Sequence, residues 1–291
     1  MDKIWSIIDI INWGVEYFEK KNISNPRLNI ELLLCEVLQN DRMNLYLNYE
    51  KPLNEDELAL LKKFVLRRAK HEPLQYITGY TNFLGYKINV DSNVLIPRPE
   101  TELLVDEVRK KYNNDEKLKI LDIGTGSGCI SISLADFFKN SHIDAVDYSN
   151  DVIKIAKSNA EYNNTDNISF IKLDILSEEP SGQYDIIISN PPYISDSEFK
   201  ICEPEVLYFE PHTSLTDNND GYTFYKRFES LFQDLLKPEG EFFLEIGFGQ
   251  MDYLNILFSR SYDIQFKSDF NNIPRIISGK LKNVNSELKL G

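Results

Sequence analysis

Apolar residues recur at helical spacing from the start of the chain, where Ile4, Ile7, Ile8, Ile11 and Val15 share one face. Ser24-Asn25-Pro26 opens a second helix, with Leu28, Leu32, Leu33, Cys35, Val37 and Leu38 as its apolar face. After Pro52, Asn54 followed by Glu57 reads as a helix cap with an acidic first turn. The helix behind it turns Leu58, Leu61, Val65 and Leu66 inward and carries Lys62, Lys63, Arg67, Arg68 and Lys70 elsewhere, as a solvated face. Residues 1–75 are therefore expected to form a small helical bundle.

From Gln75 the pattern changes. Tyr76-Ile77-Thr78-Gly79 and Phe83 to Val90 are β-rich and punctuated by glycine, which predicts a hairpin linker over 76–97. Pro97-Arg98-Pro99-Glu100-Thr101-Glu102 then leads into a helix through Leu103, Leu104 and Val108. Beyond it, strands are expected at Lys119 to Ile123, Ile143 to Asp147, Ile168 to Leu173, Asp185 to Ser189 and Glu241 to Ile246. Helical patterns at Cys129 to Phe138, Asp151 to Tyr162 and Tyr222 to Leu236 lie between them. This alternation predicts an α/β domain over 98–291, a mostly parallel sheet covered by helices on both faces. Tyr262 to Phe270 and Arg275 to Leu281 close it with an antiparallel hairpin, and a polar tail follows.

Composition narrows the function. The 291 residues carry 32 Lys plus Arg against 46 Asp plus Glu, a formal charge of −14. That balance argues against coating nucleic acid, because phosphate contacts need Lys and Arg. Cys35, Cys129 and Cys202 are too dispersed for a disulfide framework or a zinc site. No apolar run reaches the roughly 20 residues of a membrane helix, and Asp9 and Glu16 interrupt the first apolar stretch, unlike a signal peptide. A reducing, cytoplasmic setting is expected.

The first chemical motif is Asp122-Ile123-Gly124-Thr125-Gly126-Ser127-Gly128, which follows a strand and opens a helix. Glycines there permit positive φ and close approach of a ligand to the backbone, and the helix start offers unpaired N–H groups. It lacks the Gly-Lys-Ser/Thr of a nucleoside-triphosphate loop and the spacing of a dinucleotide fingerprint. Asp147 ends the second strand about twenty residues on, placed to accept hydrogen bonds from both hydroxyls of a ribose. Asp174 ends the third strand, on the adenine side of such a ligand; alone, it reads equally as a cap. Together these positions indicate an adenosine-containing cofactor.

The decisive segment is Ser189-Asn190-Pro191-Pro192-Tyr193-Ile194. A buried strand ends in Asn, and two prolines hold the chain extended with their carbonyls free to accept. The Asn190 side-chain oxygen and the Pro191 carbonyl converge on one planar NH₂ group, and Tyr193 offers a flat face for it to stack on. An exocyclic adenine amine and a glutamine amide both present that group.

With these motifs the chain resembles the class I, S-adenosylmethionine-dependent methyltransferases and, within them, the release factor glutamine methyltransferases. The resemblance spans nearly the whole chain. It takes in the helical start, Gly85, Leu95 to Glu102, Asp122 to Gly128 and Asn190 to Ile194. Downstream it includes Glu203-Pro204-Glu205-Val206, Glu210-Pro211, Asp220-Gly221 and Glu245-Ile246-Gly247. It implies a Rossmann-like seven-stranded sheet behind a helical substrate-recognition domain, acting as a monomer. The implied reaction methylates the glutamine of a release factor's Gly-Gly-Gln loop. S-Adenosylmethionine is held by Gly124, Thr125, Gly126, Ser127, Gly128, Asp147, Asp174, Ile175 and Asn190, where some relatives carry an aromatic residue in place of Ile175. Asn190, Pro191, Pro192 and Tyr193 hold the substrate, with Asn190, Pro191 and Tyr193 catalytic. No metal is implied, and His142 and His212 have no catalytic part. Ser195 to Asp220 is long enough to act as a lid beside Tyr193.

Two other readings use the same motifs. An adenine-N6 methyltransferase would need base flipping and a cationic channel, which the acidic balance and the missing insertion after Tyr193 disfavour. A silent cofactor-binding adaptor would have no use for an intact Asn190 and Tyr193.

Overall fold

The computed structural model describes residues 4–282, so the expected polar tail lies almost wholly outside the described residues. The chain divides into two compact units. One takes the chain up to Tyr80 together with Glu203–Phe209; the other takes Thr81–Cys202 and the chain from Glu210 onward.

The first unit is helical, with helices over Ile7–Glu19, Pro26–Leu38, Arg42–Leu47, Glu55–Arg68 and Leu74–Thr78. Ser6 and Asp9 cap the first helix reciprocally, which leaves Ile4 ahead of it and exposed. Asn54 and Glu57 cap the fourth in the same way, each backbone N–H donating to the other's side chain at 2.8 Å. Ile7, Ile10, Ile11, Phe18, Ile30, Leu33, Leu34, Leu61 and Val65 form the core.

Three details differ from expectation. Leu28 is exposed and Ile30 and Leu34 are buried, because the face centred on Leu33 repeats at three and four residues. Leu66 is also exposed, and Arg68 is buried alongside Val65 in that turn. Its Nε donates to Asn29 Oδ1 at 2.6 Å, its Nη1 to the Glu72 carbonyl at 3.0 Å, and its Nη2 to Glu205. A buried guanidinium requires such a set, since leaving one unpaired costs ~3–5 kcal/mol. Finally, Tyr76-Ile77-Thr78 is not β structure but part of the short helix Leu74–Thr78, ended by Gly79 at φ +86°. The division between the two compact units falls at Tyr80.

A hairpin of β1 (Tyr80–Phe83) and β2 (Tyr86–Asn89) precedes the main sheet. That sheet comprises β3 (Lys119–Ile123), β4 (His142–Asp147), β5 (Ile168–Lys172), β6 (Tyr184–Ser189), β7 (Leu236–Glu245), β8 (Tyr262–Ser268) and β9 (Pro274–Leu281). Their order is β5-β4-β3-β6-β7-β9-β8, parallel except for β9. The expected α/β sheet with its closing hairpin is thus present. β7 begins earlier than anticipated, at Leu236. Pro238 and Gly240 obscure its first half, where the register with β6 shifts and a Cβ on Gly240 would lie 2.7 Å from the Tyr184 carbonyl. A helix over Met251–Phe258 went unanticipated because only Leu254 and Phe258 are buried in it. The aromatic rings of Phe228, Phe232, Phe242 and Phe258 pack in succession at centroid distances of 5.0–5.5 Å beneath that end of the sheet.

Chain direction reverses beside β3: β4 and β5 extend to one side, β6 and β7 to the other. A crevice at the carboxyl ends of such strands is where open α/β sheets bind ligands.

Candidate active site

Three strand ends meet at that reversal. Ile123 at the end of β3 pairs with Val146 of β4 and with Ser189 of β6. The next residues along are the glycine turn, Asp147 and Asn190. The turn is built on positive φ at Gly124, Gly126 and Gly128. At Gly128 substitution is doubly opposed, since φ is +83° and a Cβ would lie 3.2 Å from Ala156.

The crevice is a cavity of about 470 Å³, within the ~300–1,000 Å³ typical of small-molecule sites. Gly124, Gly126, Asp147, Asp174, Ile175, Asn190, Pro191 and Pro192 line it. Thr125, Ser127 and Gly128 do not. The Thr125 hydroxyl donates to Asp122 Oδ2 at 2.7 Å, the Ser127 carbonyl accepts from Asn159 at 2.9 Å, and Gly128 packs on Ala156 of the helix Asn150–Tyr162. Asp147 Oδ2 accepts from the Gly126 N–H at 3.2 Å and Oδ1 from the Ser149 N–H at 3.1 Å. Burial raises its pKa. Asp174 is committed locally, accepting from the Leu176 N–H at 3.1 Å and the Ser177 hydroxyl at 2.9 Å, as a turn cap does.

Most of the remaining wall residues carry no motif signal, Leu95 and Pro211 excepted. Ser92 to Leu95, Tyr148, Phe224 and Phe228 line the cavity. So do Pro211, Thr213, Ser214 and Thr216 to Asn218 from the segment read as a lid. Tyr148 and Thr213 hydrogen bond across 2.8 Å. The lid segment is anchored where Ile194 bridges to Thr216 and where Arg98 grips the buried Glu210 through both carboxylate oxygens at 2.6 and 2.7 Å.

Tyr193 stands beside the cavity, not on its wall. Its hydroxyl donates to Glu245 Oε1 at 3.1 Å, and its ring fills the space over Gly247. Gln250 holds the same corner, donating to the Tyr193 carbonyl at 3.0 Å and accepting from the Gly247 N–H at 2.8 Å. Asn190 Nδ2 donates to Thr101 Oγ1 at 3.0 Å, which leaves Oδ1 as the amide's remaining polar atom.

Two carboxyls under the site are fully buried. Burial pushes Asp122 up to about 6 and Glu245 up to about 7. Asp122 Oδ2 accepts from Thr125 and Ser131, while Oδ1 has no partner among the described residues. Each carboxyl binds its proton more tightly folded than unfolded, so the stability these two contribute is full below the ordinary carboxylate range and is lost as pH rises from ~4 to 7. Urea midpoints of the cofactor-free protein should fall between pH 5 and pH 8. Glu245→Gln should fall less; equal declines would show that Glu245 is not the group responsible.

The fold and this strand-end site define an α/β methyltransferase. The hMettl16 catalytic domain, solved with a MAT2A 3′UTR hairpin, shares the fold at TM-score 0.54 and 16% identity, over 81% of this chain and 86% of that one. A methyltransferase from Pyrococcus furiosus does so at TM-score 0.51 and 17% identity, over 68% and 89%. Residues 9–79 match the PrmC N-terminal domain and residues 99–205 the methyltransferase small domain. The release factor glutamine methyltransferase of Geobacter sulfurreducens is 36% identical over 281 residues, covering 96% of this chain and 98% of its own. That of Chlorobaculum tepidum is 35% identical over 288 residues, covering 95% and 98%. The chain belongs to the release factor glutamine methyltransferase family.

Proposed function

We propose that this protein transfers a methyl group from S-adenosylmethionine to the side-chain amide nitrogen of the glutamine in the Gly-Gly-Gln loop of peptide chain release factors. The observation that carries the reading is Asn190 at the end of β6, its amide oriented by Thr101 and its neighbours Pro191 and Pro192 on the cavity wall.

The residues present fit the cofactor. Gly124 and Gly126 expose backbone to the cavity with no side chain between, and the Asp147 carboxylate lies next to them on the same wall. When bound, S-adenosylmethionine supplies an electrophilic methyl on a sulfonium sulfur. The chain's task is alignment, because a glutamine amide nitrogen is a weak nucleophile whose lone pair is delocalised into its carbonyl. Asn190 Oδ1 and the Pro191 carbonyl accept the two N–H protons, aim the nitrogen and favour the positive charge that grows on it. Bound there, the cofactor would give up its methyl and leave as the neutral thioether, while Asn190 and Pro191 keep the nitrogen in line and the surplus N–H proton passes to water.

The helical unit is assigned to recognition of the release factor. Arg67 and Arg68 are not free for that task, being paired with Glu72 and Glu205, whereas Lys62 and Lys63 are exposed. The reading places a monomer in the cytoplasm; no helix among the described residues is long and apolar enough to cross a membrane. The test is transfer of labelled methyl to intact release factor, to a release factor with the loop glutamine replaced, and to DNA. Label on the first alone is expected.

A further inference from the structure

Two segments singled out in the sequence, Arg98 to Glu102 and Glu245 to Gly247, do not line the cavity, yet they meet behind Asn190. Thr101, in the first turn of the helix Pro99–Lys111, is buried. Its hydroxyl donates to Glu245 Oε2 at 2.7 Å and accepts from Asn190 Nδ2 at 3.0 Å. Glu245 Oε1 accepts from Tyr193 at 3.1 Å.

A hydroxyl has one proton to give. While Thr101 gives it to the Glu245 carboxylate, it can only accept from Asn190, so the amide must present Nδ2 to Thr101. We infer that Thr101 and Glu245 are positioning residues for methyl transfer: they lock the Asn190 amide with Oδ1 toward the acceptor nitrogen. If Glu245 takes up a proton, it can donate to Thr101, whose own proton is then released toward Asn190. The amide can turn over and present NH₂, the wrong polarity for holding an N–H substrate. Around Glu245 the charged and titratable groups are Glu100 on the Thr101 helix, Arg275 on β9, the hydroxyls of Tyr193 and Tyr225, and the buried Cys129 thiol at the start of the helix Cys129–Phe137. The Tyr225 hydroxyl donates to the Glu245 carbonyl at 2.7 Å.

The inference rests on the glutamine reading, and one set of measurements separates their failures. With release factor and labelled S-adenosylmethionine, Thr101→Val should lower kcat by roughly tenfold, the worth of one buried hydrogen bond. Cofactor affinity by calorimetry should be unchanged, and Thr101→Ser should restore kcat. The wild-type rate should rise with pH through the region near 7, and Glu245→Gln should be slow at every pH and lack that limb. Wild-type kcat in Thr101→Val, no rescue by Ser, or an unchanged acid limb in Glu245→Gln overturns the positioning role alone. Absence of transfer by the wild type overturns the glutamine reading itself.

Discussion

Asn190→Ala should lower turnover by roughly 10²–10³-fold, the usual cost of removing one preorganised polar contact from a developing charge. The expectation follows from position. Asn190 closes the strand next to the glycine turn, lines the cavity and is oriented through Thr101. Cofactor affinity should fall far less than turnover, because Asp147 and the glycine turn are untouched. Asn190→Asp is the sharper variant: it keeps the size but puts a carboxylate near the Thr101–Glu245 pair. Steady-state rates on release factor check both; Asn190→Ala at the wild-type rate would remove the residue from the chemistry.

Asp147→Ala should have the complementary effect, weakening S-adenosylmethionine binding by roughly 10–100-fold, as loss of hydrogen bonds to a charged group does. Asp147 ends β4 on the cavity wall beside Gly126. Its two oxygens also receive the Gly126 and Ser149 N–H groups, so alanine both removes a ligand contact and loosens the turn. Asp147→Asn retains an acceptor for the turn and separates the two causes: affinity midway between wild type and alanine assigns part of the loss to the ligand. Calorimetry with cofactor alone gives the answer, and unchanged affinity in Asp147→Ala would exclude the ribose role.

Much of this is legible in the sequence. The strands from β3 to β6 are short apolar runs with clear ends, so the placement of the glycine turn, Asp147 and Asn190 on neighbouring strand ends followed from pattern and topology. Less visible were features set by tertiary contacts. Arg68 looks like part of a solvated basic face until Asn29 and Glu205 are seen to bury it. Tyr76 to Thr78 has β-rich composition, but Pro73 and Gly79 bracket it into one helical turn. Asp174 sits at a strand end yet spends its oxygens on its own turn.

The motifs also hid their pairing. Arg98 and Glu210, Glu102 and the Leu84 N–H, Thr101 and Glu245 are each far apart in the chain and joined in the fold. Spacing along a single sequence carries no signal of such partnerships. Their effect is to tie the helix Pro99–Lys111 to the lid segment, the hairpin turn and the end of β7.

The central claim is that the methyl is delivered to a glutamine amide. Tandem mass spectrometry of release factor after incubation with the protein and S-adenosylmethionine tests it most directly. The account predicts one added methyl on the side-chain nitrogen of the Gly-Gly-Gln glutamine, absent from the Asn190→Ala reaction. A methyl on any other residue, or transfer to adenine in DNA with the release factor unmodified, would contradict it.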